Sequence, residues 1–534
     1  GTIRYITNKP NTEKFESKLS VELGDKEFAV EPIENYNAMV NVPLSSNVAL
    51  RAVYSSAIDP GIYQNVMTGK KGVGTQNDER TVLTLGFNFD RLDGMVRYIE
   101  NDRVDVGMKE KGNGDKPGNA DLVVSGCNTD GAGWWYNWDG YENCARVAGI
   151  ASELGDYTNL PGLSNYNPLL AFADFSDEIH RVRTKILATQ LNYQADDFSV
   201  VAVLANYQDR EDSDTEWSRI DMDDQYAAPL VVTSDEETSS FEFRINSNPG
   251  VFEWTVGYFF EDVEGKPNQI VETQYGPSFD AFDYITNIIS GEPDYDGSVY
   301  CPPFCNDSMG YPYMYYGSWR YFDRQREESV FGQVSYAWQD FTFTAGLRRY
   351  MLEDSYKGSE FGVFYLGSNG CDNDGDGQGD FADGVTCDEL SGTEADTRPK
   401  FTVSYTPNDD LTLFAVSSSG YRPGGNNANL PYFCENDPEA SSFERRYTSD
   451  RAQNTEFGGK YRTSRFSINA TYFMIDWQDI QIGIAPACGW SFTYNGGAAE
   501  TSGLELDATL DLAENLYLDF AGAFMSAETT VDLP

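Results

Sequence analysis

The stretch SVFGQVSYAWQDFTFTAGLRRY, Ser329 to Tyr350, decides the fold. Its first half sets Val330, Gly332, Val334, Tyr336 and Trp338 at alternate positions, with Ser329, Gln333 and Ser335 between them. Gln339-Asp340 then turns the chain, and Phe341, Phe343, Ala345 and Leu347 alternate with Thr342, Thr344, Gly346 and Arg348. Side chains along a strand have period two, so the stretch reads as a hairpin with one apolar and one polar face. A soluble sandwich alternates in the same way, with its polar face outside. Which face is wet has to come from the rest of the chain.

Working outward, short polar turns recur at Leu44-Ser-Ser-Asn47, Arg91-Leu-Asp-Gly94, Ala195-Asp-Asp197 and Asn248-Pro-Gly250. They continue at Gln339-Asp340, Pro407-Asn-Asp-Asp410, Thr463-Ser-Arg465 and Leu512-Ala-Glu-Asn515. Each is flanked by alternating runs of strand length, as in FSINATYFMIDWQDIQ (Phe466 to Gln481), SGLELDATL (Ser502 to Leu510) and LYLDFAGAF (Leu516 to Phe524). Between successive turns lies one longer, polar connection. The longest run from about Gly107 to Ser176, Gly265 to Arg326 and Ser355 to Arg398, and another follows SSSGYRPGGNN at Ser417 to Asn427. One end therefore carries tight turns and the other long loops, the plan of an antiparallel up-and-down meander. The runs amount to about seventeen strands. Open twisted sheets rarely exceed about ten strands, so this many must curl or close. A large barrel with lipid outside accounts for both the alternation and the asymmetry between the two ends.

Bulk composition agrees. The 534 residues have a mean hydropathy of -0.49, and no run of about 18 apolar residues exists from which to build a spanning helix. Barrel strands need only about 9–11 residues each to cross. Aromatic content is 14%, suited to strands and interfacial girdles. The net charge of -47 argues against a nucleic-acid partner. It suits either a solubilising acidic surface or an acidic vestibule for cations. His180 is the single histidine, and no nucleophile elbow, phosphate loop or zinc pattern is present, so the sequence offers no enzyme chemistry.

Several segments, in order, resemble the TonB-dependent receptors of Gram-negative outer membranes. GTIRYITNKP at the start is similar to the end of that family's plug domain, and VNVPLSSNVALRAVY (Val40 to Tyr54) to its first periplasmic turn. SSGYRPGGNN resembles a recurring strand-end motif, and NTEFGGKYR, YFMIDWQDIQI and ETSGLELDATL follow as in the family's later strands. The resemblance implies a barrel of twenty-two strands with a plug in its lumen. Residues 1–12 would then be the end of the plug and 13–534 the barrel, without its last strands. It further implies an outer-membrane location with extracellular long loops, contact with outer-membrane lipid and lipopolysaccharide, and energised uptake of a scarce solute through a periplasmic TonB partner. The cargo would be a siderophore–iron complex or an oligosaccharide. The runner-up is a non-transporting binding or adhesion protein of the same membrane.

The loops hold the candidate sites. Asp372, Asp374 and Asp376 occupy positions one, three and five of a calcium loop, with Gly377 at six, Gln378 at seven, Asp380 at nine and Asp383 at twelve. Alternate carboxylates converge on a hard cation while the glycine allows the bend, so a structural calcium is expected, an unliganded acidic turn being the alternative. Eight cysteines fall into local pairs, Cys127 with Cys144, Cys301 with Cys305 and Cys371 with Cys387, leaving Cys434 and Cys488. Locality alone selects this pairing. Trp134, Trp135, Tyr136 and Trp138, and Tyr313, Tyr315, Tyr316 and Trp319, are expected in outward loops, where aromatic faces stack on ligands or pack under their own loops. Arg422 in GYRPGG is expected at the lumen mouth, as a ligand contact or a brace. In the opening hairpin, Val330, Val334, Phe341, Phe343 and Leu347 should meet lipid. Gln333, Ser335, Thr342, Thr344 and Arg348 should line the lumen.

Overall fold

The computed structural model describes residues 7–65, 70–107, 171–172, 178–216, 229–266, 268–274, 313–362, 386–428, 430, 437–486, 491–514 and 516–531. Its main sheet begins with Glu16–Gly24, Ile33–Pro43, Val48–Asp59, Thr75–Phe89, Leu92–Val106, Ile179–Gln194, Phe198–Glu216 and Pro229–Ser247. Phe252–Gly265 follows, continued by Asn268–Gln274, then Tyr313–Trp338, Phe341–Gly362, Thr386–Asn408 and Leu411–Arg422. Asp450–Arg462, Phe466–Ile484, Phe492–Ala513 and Leu516–Thr529 complete it. Every strand pairs antiparallel with the next. Asn268–Gln274 pairs with the same two neighbours as Phe252–Gly265, so the eighteen strands make seventeen staves. Among the described residues no pairing joins Glu16–Gly24 to Leu516–Thr529, and the sheet is open between them.

The tight turns lie where the sequence puts them, with three shifts: Pro407-Asn408 belongs to the strand Thr386–Asn408, Leu512-Ala513 to Phe492–Ala513, and the third is at Arg91 to Gly94. The chain turns at Asp90–Arg91, and the next strand begins at Leu92, inside the stretch read as turn. Gln339 takes φ 54°, a left-handed conformation that suits a two-residue hairpin. The long connections are a larger correction. Tyr313–Trp338 is one strand of 26 residues, Phe341–Gly362 has 22 and Thr386–Asn408 has 23. Tyr313, Tyr315, Tyr316 and Trp319 are thus part of a paired strand and not of a loop. A stave needs only about 9–11 residues to cross the bilayer. Beyond that height both faces meet water, so the ladder continues while the apolar alternation that marks it in sequence is lost.

Register assigns the faces. Val330 pairs with Arg349, Gly332 with Leu347, Val334 with Ala345, Tyr336 with Phe343 and Trp338 with Phe341. On this face Val330 is 56% exposed, Leu347 57% and Trp338 53%. The belt continues through Phe252, Val256, Phe401, Leu413, Phe457, Tyr472, Leu504 and Phe524, all exposed. A folded protein leaves so much contiguous apolar surface uncovered only where lipid meets it. The opposite face carries Gln333, Ser335, Thr342, Thr344 and Arg348, with Ser335 Oγ and Thr344 Oγ1 2.8 Å apart. Aromatic rings gather at the turn end: Trp338 and Phe341 stack at 6.4 Å, and Phe341 meets Tyr405 at 4.6 Å. This is the girdle expected at a membrane–water boundary.

The two faces should tolerate charge unequally. Val334→Arg should destabilise the folded barrel by about 2–4 kcal/mol, the cost of a cation near the bilayer midplane. Ser335→Arg, one residue along and facing the lumen, should fold almost like the parent. Urea titration of refolding into lipid vesicles, followed by heat-modifiable gel mobility, measures both.

Candidate functional site

The polar face builds a connected structure at the long-loop end. There the ladder between Thr386–Asn408 and Leu411–Arg422 stops at Lys400 opposite Ser418. Leu411–Arg422 stays paired on its other side up to Arg422 opposite Asp450, and Thr386–Asn408 up to Glu360 opposite Thr386. The wall parts between two strands that each keep one partner. At this parting the Tyr421 ring lies flat on Tyr350, with centroids 3.8 Å apart and planes 14° apart. The Arg398 guanidinium sits 5.7 and 5.5 Å from the two rings and donates to the Tyr350 hydroxyl at 3.1 Å. Arg348 pairs with Glu327 on the same face. Stacked rings capped by a guanidinium pack tightly, and here one terminal nitrogen of Arg398 is bonded while its Nε is buried without a partner.

From Arg422 the chain does not rise away but folds across the inner wall as a strap, described over residues 423–428, 430 and 437–449. Pro423 has no N–H with which to continue the ladder. A side chain at Gly424 would collide with the Tyr447 carbonyl and the Glu394 carboxylate, and one at Gly425 with the Tyr447 ring. This close approach is the physical content of the two glycines in GYRPGGNN. Gly425–Asn426 pairs with Arg446–Tyr447 in a short ribbon, and Pro438–Ser442 forms one 3-10 turn capped by Asp437, which accepts from the Glu439 amide.

Five staves brace the strap, the first through Gln325 Nε2, which donates to the Gly424 carbonyl at 3.2 Å. Asn426 Nδ2 donates to Asp354 Oδ2 at 2.7 Å and Arg446 to Asp354 Oδ1 at 2.6 Å. The Arg446 guanidinium occupies the space that a β-carbon on Gly392 would take. Ser449 N–H donates to Glu394 at 3.0 Å, and Gln481 Nε2 donates to the Pro423 and Thr448 carbonyls at 2.7 and 3.0 Å. Asn427, 7% exposed, bonds the Glu444 carbonyl and both backbone groups of Thr493. Phe443 meets the buried Phe492 edge-on at 5.2 Å.

Arg422, expected at the mouth, is there and acts as a brace. Its Nε donates to Asp450 Oδ2 at 3.0 Å, its terminal nitrogen to the Gln481 carbonyl at 3.1 Å, and it lies 5.6 Å from the Trp477 ring. Trp134, Trp135, Tyr136 and Trp138 lie outside the described residues, as does the Asp372–Asp383 motif with Gln378. The cysteines 127, 144, 301, 305, 371, 434 and 488 lie outside them too, and of Cys387 only its place in the strand Thr386–Asn408 is described. Of Tyr313, Tyr315, Tyr316 and Trp319 the strand position alone is described. Sequence reasoning missed Asp354, Gly392, Asn427 and Arg446. Only the Gly-Gly pair signalled that something must approach closely.

A cavity of about 440 Å³ opens beside Asp354, lined among others by Arg324, Arg326, Glu353, Ser391 and Thr393. By register Arg324, Arg326, Glu353 and Ser391 share the outward face of Val330, beyond the apolar belt. Arg324 is held by Asp262 at 2.5–2.8 Å and Arg326 by Glu328. The cavity is a polar recess of the outer wall, on the long-loop side of Val330, and not a passage through the lumen.

Asp354→Asn removes the charge that Asn426 and Arg446 both address. It should weaken the strap by about 1.5–3 kcal/mol, the worth of hydrogen bonds to a charged group. Faster amide exchange over residues 425–447, with the staves unchanged, is the expected reading.

The comparisons with known proteins fit this geometry. The model of the TonB-dependent receptor-like β-barrel matches residues 128–532, about three quarters of the chain. The ferric yersiniabactin uptake receptor FyuA from Yersinia pestis superposes with a TM-score of 0.65 at 13% identity, over 98% of this chain and 62% of that one. The ferric-catecholate import receptor Fiu from Escherichia coli K12 gives 0.58 at 10% identity, over 98% and 66%. The pesticin receptor of Yersinia enterocolitica is 26% identical over 133 residues, which are 25% of this chain and 18% of that protein. The chain thus spans about three fifths of the FyuA structure, and its match to the curated relative covers under a fifth of that protein. A lipid-facing belt, a polar lumen, tight turns at one end and a braced mouth at the other, together with this match, place the chain in the family of TonB-dependent receptors of the Gram-negative outer membrane, to whose β-barrel its seventeen staves belong.

Proposed function

We propose that this barrel is the wall of an importer for ferric siderophores, driven by a periplasmic TonB partner that acts on a plug in the lumen. The observation that supports it most is the polar lumen narrowed at its long-loop mouth by a strap fixed to the wall. A rigid rim loses little entropy when a bulky ligand docks on it. The named functions of FyuA and Fiu favour iron complexes over oligosaccharides as cargo. Trp134, Trp135, Tyr136, Trp138, Tyr313, Tyr315, Tyr316 and Trp319 are proposed as ligand-stacking aromatics above that rim. The Asp372–Asp383 segment is proposed to hold calcium through Asp372, Asp374, Asp376, the Gln378 carbonyl, Asp380 and Asp383. Disulfides within the cysteine pairs named above would stiffen the same region. On the outer wall, the recess beside Arg324 and Arg326 suits phosphate-bearing lipopolysaccharide headgroups.

Iron-55 uptake in the native host, with a panel of siderophore chemistries, tests the reading. A deletion strain should lose uptake of one ferric complex and regain it with the gene, but not when TonB is absent. Retained uptake in the deletion strain, or uptake of an oligosaccharide alone, would replace it. Calorimetric titration tests the calcium separately: binding below about millimolar calcium is expected, and Asp374→Asn with Asp376→Asn should abolish it.

A further inference from the structure

At the turn end of the lumen the wall grips the chain that leads into it. Asn41 lies on the strand Ile33–Pro43, opposite Glu16 and Arg51, on the face turned away from Val40 and Leu50 and therefore toward the lumen. It is 0% exposed. Its Nδ2 donates to the Asn11 carbonyl at 2.8 Å and to the Lys14 carbonyl at 3.0 Å, and its Oδ1 accepts the Asn11 amide at 2.8 Å. Both amide hydrogens and the oxygen are thus spent on the backbone of one short segment. Two staves away, the Pro10 ring lies so close to Gly86 that a β-carbon there would sit 3.0–3.3 Å from three of its atoms. Ala49, which pairs with Gly86, is also 0% exposed. Asn11 Nδ2 donates to Glu16 Oε1 at 3.3 Å, while Lys14 and Arg51 converge on the same carboxylate at 2.9 and 3.8 Å. Residues 7–9 and 13–15, by contrast, are exposed. The contact is a grip on Pro10 to Thr12 and on the Lys14 carbonyl, and not a general packing of the segment.

We propose that Asn41 and Gly86 form a clamp that fixes Pro10–Lys14 to the inner wall and stays closed during transport. The chain N-terminal to Pro10 then moves against an immobile point, and force applied to it ends at Asn41 and does not reach the first stave. The role in transport rests on the uptake reading above; the clamp itself does not. Asn41 is a positioning residue and touches no cargo. Only an amide side chain supplies two donors and an acceptor at this spot, and any β-carbon at position 86 would press on the proline, which would have to give by a few tenths of an ångström.

The test uses the full-length receptor in lipid vesicles. Hydrogen exchange of the Asn11 amide should be slow in the parent and about tenfold faster in Asn41→Leu, the factor expected for one net hydrogen bond. Gly86→Leu, which unseats Pro10 without touching Asn41, should have the same effect. Unchanged exchange in both variants, with heat-modifiable mobility showing folded barrels, overturns the clamp. The second arm joins the segment to the wall covalently with Asn11→Cys plus Asn41→Cys. The oxidised pair should cross-link and take up the ferric complex as the parent does. A pair that fails to cross-link, or uptake lost on oxidation and regained on reduction, overturns a clamp that remains closed. If the parent imports no ferric complex, the uptake reading fails, and the exchange arm still decides the clamp.

Discussion

A backbone in lipid has no water to satisfy it, and this constraint orders everything else in the molecule. Each N–H and C=O within the hydrocarbon must find a partner in the wall, and so the chain runs as long antiparallel neighbours from stave to stave. The apolar belt is a consequence, since residues that alternate outward from such a ladder meet acyl chains. It reverses the accounting of a soluble protein. Val330 and Leu347 are more than half exposed in the bare chain, yet they are where stability resides once lipid covers them. The side of the wall that resembles a protein surface by composition, Gln333, Ser335, Thr342 and Thr344, is the one enclosed.

The same constraint explains where the wall is allowed to part. Leu411–Arg422 and Thr386–Asn408 separate only past Lys400 and Ser418, toward the long-loop end. At that height water or side chains satisfy what the ladder gives up. Part of the gap is filled by the stack of Tyr421 on Tyr350 beneath Arg398, a group of large side chains that needs few hydrogen bonds to hold its shape. Parting the wall lets the chain turn inward at Pro423 and lay the strap against Asp354, Glu394, Gln481 and Thr493. A guanidinium resting on bare glycine backbone and a carboxylate 2.6 Å away, with Arg446 33% and Asp354 9% exposed, form a joint screened from most of the solvent. Its contribution is therefore larger than that of the exposed ion pairs elsewhere on the wall.

How much of this was legible follows from which forces leave a period in sequence. Lipid and lumen press alternately on every crossing segment, so the opening hairpin, the tight turns and the face of Phe341, Phe343 and Leu347 were readable from residue types alone. Above the bilayer both faces are wet and the period vanishes. That is why Tyr313–Phe322, in YPYMYYGSWRYF, reads as loop although it is paired strand. The strap was legible only as a demand. Two adjacent glycines after a proline require a close approach, without saying that Tyr447 and Glu394 make it. Asp354 and Arg446 are 92 residues apart in sequence, and no local pattern joins them. Asn41 was hidden for the opposite reason: within an alternating strand it shares its face with Asn35 and Asn37 and looks like any other polar residue.

The two fixed points also divide the labour of the lumen. At the long-loop end the strap ties together staves from Tyr313–Trp338 to Phe492–Ala513, so this arc of the rim is held by the wall itself. At the turn end Asn41 and Gly86 hold the incoming chain over Ile33–Pro43, Val48–Asp59 and Thr75–Phe89, on other staves. Each end of the lumen thus has a segment tied to more than one stave, and the wall is the common frame of both.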